Sequence, residues 1–351
     1  MNKKLIATAM GLIMAGGMGL ANADVKLYGQ ITLELDAVDS DAAGFQDDIN
    51  MNSNTSSFGV KGSEDLGNGL SAFFKLEFQV DPTERAKNIT DRDQYIGLKM
   101  ERFGKLLFGT ASTAYKAPGS KIDAFYRTNL QSRQIGLQSN LHSGAGEEGE
   151  GRGENMVRYD SPSFGGVKVI GTYQFDNGKD DGEDDDPYSL GVQFKGGGFF
   201  AAASYISTQQ SDDNAAAQLL GKYTLGGLEF HTIYEFDLGL ITAQRSNGLA
   251  DSTTGDRAGT ANDDGADIWS LGVTYTIGNN LVAFDYGQGD DSKGKDGVAN
   301  TADDLEDYAV WRLAAYHKFS KRTRVFAGYA NTDYDEKGED DIFTLGMRHS
   351  F

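Results

Sequence analysis

The residues able to do chemistry are few and scattered. The four histidines, His142, His231, His317 and His349, lie far apart in the chain, and no HExxH, G-x-S-x-G or phosphate-loop pattern accompanies them. Each reads as a lumen or rim residue rather than a general base. A hydrolase would need a Ser–His pair on adjacent strands, and neither His317 nor His349 has an evident Ser partner. There are no cysteines, which removes disulfides and thiolate metal sites. The acidic runs 180–186, 262–267, 290–296 and 303–307 could attract Ca²⁺ through hard oxygen ligands, but none fits an EF-hand loop. They read better as solvated, self-repelling loops. No enzyme, no metal and no cofactor is expected. The formal net charge of −20 also argues against a nucleic-acid partner, whose phosphates need a basic surface. Against that acidic balance, the stretch Tyr115–Arg133 holds four bases, Lys116, Lys121, Arg127 and Arg133, and one acid, Asp123.

The elements that must position these charges have a period of two. Val25, Leu27, Gly29, Ile31, Leu33 and Leu35 form one face of a first strand, and Lys26, Tyr28, Gln30, Thr32, Glu34 and Asp36 form the other. The same alternation recurs in 70–80, 166–176, 227–237 and 308–319, and a helical period is nowhere sustained. The last eleven residues, Asp341 to Phe351, place Phe343, Leu345, Met347, His349 and Phe351 on one face. A strand that ends flush on an aromatic residue needs partners on both edges, and the first strand is the natural second partner. Connections alternate between short Gly- and Asn-bearing turns and long acidic loops. Counting hairpins gives about 16 strands with short turns at one rim and long loops at the other. The charged face suits a water-filled lumen, and the apolar face with aromatics at strand ends suits lipid. These features disfavour a soluble β-sandwich. The expected fold is all-β: a 16-stranded antiparallel transmembrane β-barrel.

At the N-terminus, Lys3 and Lys4, the apolar run Leu5–Leu20 and Ala21-Asn22-Ala23 form the three parts of a secretory signal peptide. Residues 1–23 are expected to be cleaved and residues 24–351 to form one barrel domain. Losing Lys3 and Lys4 takes the net charge from −20 to −22.

Several segments resemble the general porins of Gram-negative outer membranes. They are Leu27-Tyr28-Gly29-Gln30, the run Phe58 to Leu70 with Ala72-Phe73-Phe74, Arg92-Asp93-Gln94-Tyr95-Ile96-Gly97-Leu98, and Arg158-Tyr159-Asp160-Ser161-Pro162 followed by Phe164-Gly165-Gly166. The terminal Phe351 matches that family's assembly signature. The resemblance covers the whole mature chain. It implies a homotrimer in outer-membrane lipid and insertion by the outer-membrane assembly machinery through Phe351. It also implies passive diffusion of small hydrophilic solutes and ions, and a long third loop, here Ser112–Gly153, folded into the lumen as a constriction. On that basis the constriction residues are Lys61, Arg92, Lys116, Lys121, Asp123, Arg127 and Arg133. The chain departs from the family pattern of an acidic loop facing a basic wall. Ser57 stands where well-known members carry Arg, Gln30 where some carry Lys, and the loop itself is basic. Strict alternation places Arg92 on the parity of Ile96 and Leu98, so an inward Arg92 requires a bulge. Two rivals remain open: a substrate-selective porin with a binding site in the lumen built on stacked aromatics such as Phe73 and Tyr316, and an outer-membrane hydrolase.

Overall fold

The computed structural model describes residues 23–41, 48–84, 89–146, 150–175, 186–208, 214–246, 264–294, 298–299 and 304–351. All of the expected signal peptide except Ala23 lies outside the described residues, as do Glu147, Glu148 and parts of every acidic run. The strands are β1 (Ala23–Ser40), β2 (Asp48–Asn52), β3 (Ser57–Gly67), β4 (Leu70–Gln79), β5 (Thr90–Met100), β6 (Gly104–Ser112), β7 (Arg152–Asp160), β8 (Val167–Gln174) and β9 (Tyr188–Gly196). They continue as β10 (Phe199–Ser207), β11 (Ala215–Leu225), β12 (Leu228–Leu238), β13 (Ile268–Ile277), β14 (Asn280–Gly289), β15 (Tyr308–Lys318), β16 (Thr323–Tyr334) and β17 (Gly338–Ser350). Two short helices, α1 (Lys116–Gly119) and α2 (Leu240–Ser246), sit in connections. No helix among the described residues is long and apolar enough to cross a membrane.

Neighbouring strands pair antiparallel in chain order, and β1 closes on β17 from Gln30↔Ser350 to Ser40↔Asp340. Strands β2 and β3 are two halves of one barrel strand, so the closed barrel has 16 strands. Between the pairs Glu34↔Asn52 and Gln30↔Ser57, β1 has three residues and its partner four, Ser53–Ser56. That extra residue is a bulge with Thr55 at φ +57°. The Ser56 hydroxyl fills the gap: it accepts from Thr32 N at 3.0 Å and donates to Thr32 O at 3.1 Å. Short turns follow the expected chemistry, with Asn68 and Gly69 at φ +52° and +75°, and Gly197 and Gly198 at +58° and +83°. The turn between β9 and β10 is Gly197-Gly198.

Alternation has the expected polarity. On β1, Leu27 is 69% exposed and Leu35 45%, whereas Thr32, Glu34 and Asp36 are at 0–1%. The outward sets Phe230 and Phe236, Trp311 and Leu313, and Phe343, Leu345 and Met347 continue an apolar belt around the barrel. We expect Leu313→Arg, outward at the middle of β15, to cost about 2–4 kcal/mol in urea unfolding. Ser63→Arg, inward and exposed, should change stability by less than about 0.5 kcal/mol. Equal losses would overturn the face assignment, and the reverse order would mean that the two faces are exchanged.

The inner wall is not uniformly charged. Many inward residues of β10, β11 and β13–β16 are apolar and pack against the connection between β6 and β7, whereas β12 turns His231, Glu235 and Asp237 inward. Phe125, Leu130, Ile135 and Leu137 meet Ala283, Val310, Ala314, Tyr316, Phe326 and Ala330. Ile122 meets Phe200, Ala202, Leu220 and Ile233. Tyr115 and Leu141 pack with Ile206, Ala216, Ile268 and with Leu240 and Ile241 of α2. Charged inward residues concentrate on β1 and β3–β8 instead. Thr32 and Thr172, inward and 0% and 6% exposed, are enclosed rather than open to water.

Candidate pore constriction

The long β6–β7 connection is held by polar contacts as well as by packing. Arg312 of β15 is fully buried and faces it. Its Nη2 donates to Ser132 Oγ at 2.8 Å and pairs with Asp123 Oδ1 at 3.2 Å; its Nη1 donates to Leu130 O; its Nε and Nη2 reach Asp285 Oδ2 of β14. The Phe125 ring lies 3.9 Å from the guanidinium. Glu235 of β12, also fully buried, gathers a second set of donors: Tyr115 OH at 2.9 Å, Ser139 N at 3.0 Å and Ser139 Oγ, with His142 Nε2 at 3.3 Å. Ser139, His142 and Glu235 are buried, and the Ser139 hydroxyl donates to the carboxylate, not to the imidazole. This arrangement anchors the loop and lacks the hydroxyl–imidazole contact of a nucleophilic triad. Arg348 of β17 donates to Tyr126 O and Arg127 O at 3.1 and 2.6 Å, and Asn129 N donates to Glu34 Oε2 at 2.8 Å.

Across from these anchors, charged side chains face the other side of the connection. Arg92 donates to Glu77 Oε1 at 2.7 Å and to Gln79 Oε1 at 2.8 Å. Lys75 bridges Glu77 at 3.1 Å and Asp93 at 2.7 Å, and Arg152 pairs with Asp93 at 2.6 Å. Tyr28 OH caps Glu77 at 2.8 Å. Three cations thus share two carboxylates. Lys116 and Arg133 approach from the connection and add positive charge to the same place. Burial, reinforced by Arg152, Arg133 and Arg92, holds the Lys116 ammonium well below the ordinary lysine value. Arg133 donates to His142 O at 2.9 Å and lies 5.4 Å from the Tyr126 ring.

The inward turn of Arg92 is made by a bulge. Leu76 pairs with Gln94 but Phe78 pairs with Asp91, so Arg92 and Asp93 together oppose Glu77. Both side chains then point inward, and alternation resumes with Ile96 outward at 63% exposure.

The expected site residues do not all meet. Arg92, Lys116 and Arg133 do. Asp123 is turned away from this cluster: it is 8% exposed, accepts from Phe125 N and Ser132 N at 3.0 Å each, and pairs with Arg312. Lys121 lies farther along the connection, donating to Gln193 Oε1 at 2.5 Å over the Phe200 ring. Burial, with Lys168 and Arg158 close by, lowers its pKa. Arg127 adopts φ +68°, and its field joins that of Arg348 and Arg324. Lys61 stands opposite Lys26 and Lys75, toward the short-turn rim. Lys75, Glu77, Asp93 and Arg152 escaped the sequence reading as site residues. Lys75 and Glu77 already sat on the inward parity. Arg152 stands between Gly151 and Gly153, where alternation of side chains gives no face.

A model of the Gram-negative porin family matches residues 7–337. Over the full length of both chains, the protein is 28% identical to a major outer membrane protein P.IB of Neisseria meningitidis serogroup B. Among solved structures it resembles an anion-selective porin from Comamonas acidovorans, with TM-score 0.73 and 18% identity, over 94% of this chain and all of that one. It also resembles the trimer form of OmpT of Vibrio cholerae, with TM-score 0.65 and 17% identity, over 94% and 99% of the two chains. A family model spanning nearly the whole chain, a closed barrel with a charged inner wall, and full-length relatives that are outer-membrane proteins agree: this chain belongs to the Gram-negative porin family.

Proposed function

We propose that this porin works as a homotrimer with weak anion preference, its narrowest point set between the β6–β7 connection and the Arg92–Arg152 wall. Its general role follows from the family: it is an outer-membrane channel through which small hydrophilic solutes and ions diffuse passively. Residues 1–23 would be removed on export, and Phe351 would be read by the assembly machinery. The observation that carries the preference is the surplus of base at one place. Arg92, Lys75 and Arg152 share Glu77 and Asp93, Arg133 adds to them, and Lys116 adds its charge only below its lowered pKa. The Comamonas likeness is one of fold, so the selectivity rests on this chain's own charges.

Two fields compete. The acidic loops concentrate cations at the outer mouth, but that effect is screened within about 8 Å at physiological salt. Charges at a narrow constriction act on every passing ion. Weak anion preference at high salt is expected, drifting toward cation preference as salt falls and the mouth field lengthens. Reversal potentials across a salt gradient, at high and low mean salt, test this. Cation preference undiminished at high salt would mean that the bases are neutralised. Lys116 adds a pH dependence. It loses its charge as pH rises, at a value well below 10.5, so anion preference should fall there. The step should vanish in Lys116→Gln. A step that persists in that variant belongs to another group.

A further inference from the structure

We propose that the pore holds a second binding site, adjoining the constriction on its short-turn side, for small polyvalent phosphate anions. It rests only on the chain being a channel and stands whether or not the constriction prefers anions.

The site is a pocket of about 360 Å³ whose lining includes Lys26, Lys61, Lys75, Lys99, Lys105 and Asp24, with Lys75 shared between it and the constriction. Its lysines are stacked in register. Lys26 pairs directly with Lys61 across β1 and β3, Lys61 with Lys75 across β3 and β4, and Lys99 with Lys105 across β5 and β6. Like charges directly opposite one another destabilise a sheet. In a chain of net charge −20, with 52 acidic residues available, such a ladder is the reverse of what composition would place there. Internal compensation is incomplete. Lys26 pairs with Asp24 at 2.8 Å, and Lys75 turns toward Glu77 and Asp93. Among the described residues, no carboxylate forms an ion pair with Lys61, Lys99 or Lys105. Two of these are steered by aromatic faces: Lys61 sits 4.6 Å from the Tyr28 ring and Lys105 5.8 Å from the Phe73 ring. Asp24 lies at the edge of the pocket, and Asp160, across from Lys105, is already taken by Arg158 and Lys168; the three unpaired ammonium groups around one concave pocket match a compact ligand carrying several negative charges. Inorganic oligophosphate has that size and charge, whereas chloride cannot bridge several lysines. The pocket lies on the same wall as Arg92 and Arg152 but toward the opposite rim from the long loops. An anion leaving the constriction by that rim would pass it.

The test is single-channel recording of the purified trimer in KCl, with sodium tripolyphosphate added to either side in turn. Brief closures are expected that saturate with tripolyphosphate and set in at lower concentration from the short-turn side. Lys61→Gln, Lys99→Gln and Lys105→Gln combined should weaken this block about tenfold, the share of three exposed charge pairs. Removing these charges relieves the in-register repulsion, so the variant should fold; Lys61→Glu alone gives a second reading with the same sign. Unchanged block in both variants would overturn the proposal, as would no block in the wild type. Block that is equal from both sides and lost only in Arg152→Gln would overturn it too, placing the anion at the constriction. KCl reversal potentials recorded in the same membranes report the selectivity reading independently of the block.

Discussion

Arg312→Met is expected to cost about 3–5 kcal/mol in urea unfolding, because removing one partner of a buried ion pair leaves the other charges uncompensated. Arg312 is where barrel and loop meet. It neutralises Asp285 on the neighbouring strand and Asp123 on the connection, and it donates to Leu130 O and Ser132 Oγ. Neither carboxylate would be bare afterwards. Asp285 keeps His231 Nε2 at 3.0 Å, and Asp123 keeps the Phe125 and Ser132 amides. The loss should therefore fall toward the lower end of that range. Adding Asp285→Asn to Arg312→Met should recover part of it, since the buried negative charge goes too. A channel readout separates anchor from bystander. With its tether cut, the connection should fluctuate and the open current become noisier, while the Glu235 anchor still holds its other end. A quiet channel of unchanged stability would show that packing of Phe125 and Leu130 alone holds the loop.

What the sequence disclosed and what it hid divide along a physical line. Alternation assigns faces, so the lipid parity of Leu27, Leu35, Phe230 and Leu313 was readable, as was closure of the last strand on the first. Alternation cannot say what covers an apolar inward residue. The inward run Tyr308, Val310, Arg312, Ala314 and Tyr316 of β15 breaks the polar pattern expected of a wet wall. Its explanation lies nearly two hundred residues earlier, in Phe125 and Leu130. Strictly local patterns carry no sign of that partner.

The site was legible to the same degree. Arg92 announced itself as a conflict between parity and chemistry, and the bulge resolves it by turning Arg92 and Asp93 inward together. Asp123 looked like the one acid of the constriction because charge counting ignores direction; its carboxylate caps its own turn and meets Arg312 instead. Lys61 was grouped with the constriction because inward parity says nothing about depth. Depth comes from register, and register puts Lys61 between Lys26 and Lys75, one step from the Glu77 carboxylate toward the short-turn rim.

Removing the Phe351 side chain is expected to reduce folded porin in the outer membrane far more than it reduces the stability of porin already folded. The structure gives the local value of the residue. Phe351 N donates to Gly29 O at 3.0 Å and Gly29 N donates to Phe351 O at 3.1 Å, extending the β1–β17 ladder by one last pair. Phe351→Ala keeps both bonds, whereas deleting the residue removes them, at about 1–3 kcal/mol for two net hydrogen bonds. The ring is 47% exposed on the lipid side and lies over Gly29, where an added Cβ would come within 2.4 Å of it. Much of the side chain therefore adds little packing. If its purpose is to be recognised during insertion, Phe351→Ala should refold in detergent to a heat-modifiable trimer of nearly normal stability, yet accumulate poorly in cells. Gly29→Val makes the opposite case. Its side chain would strike the Phe351 ring and Ser57 O, the latter only 2.8 Å from the position of a Cβ, and overpacking of this kind costs about 1–3 kcal/mol. That variant should lose stability in detergent and in cells alike, with the terminal Phe intact. Parallel losses for Phe351→Ala in both settings would reduce the residue to a closing contact of the barrel and remove its role as a signal.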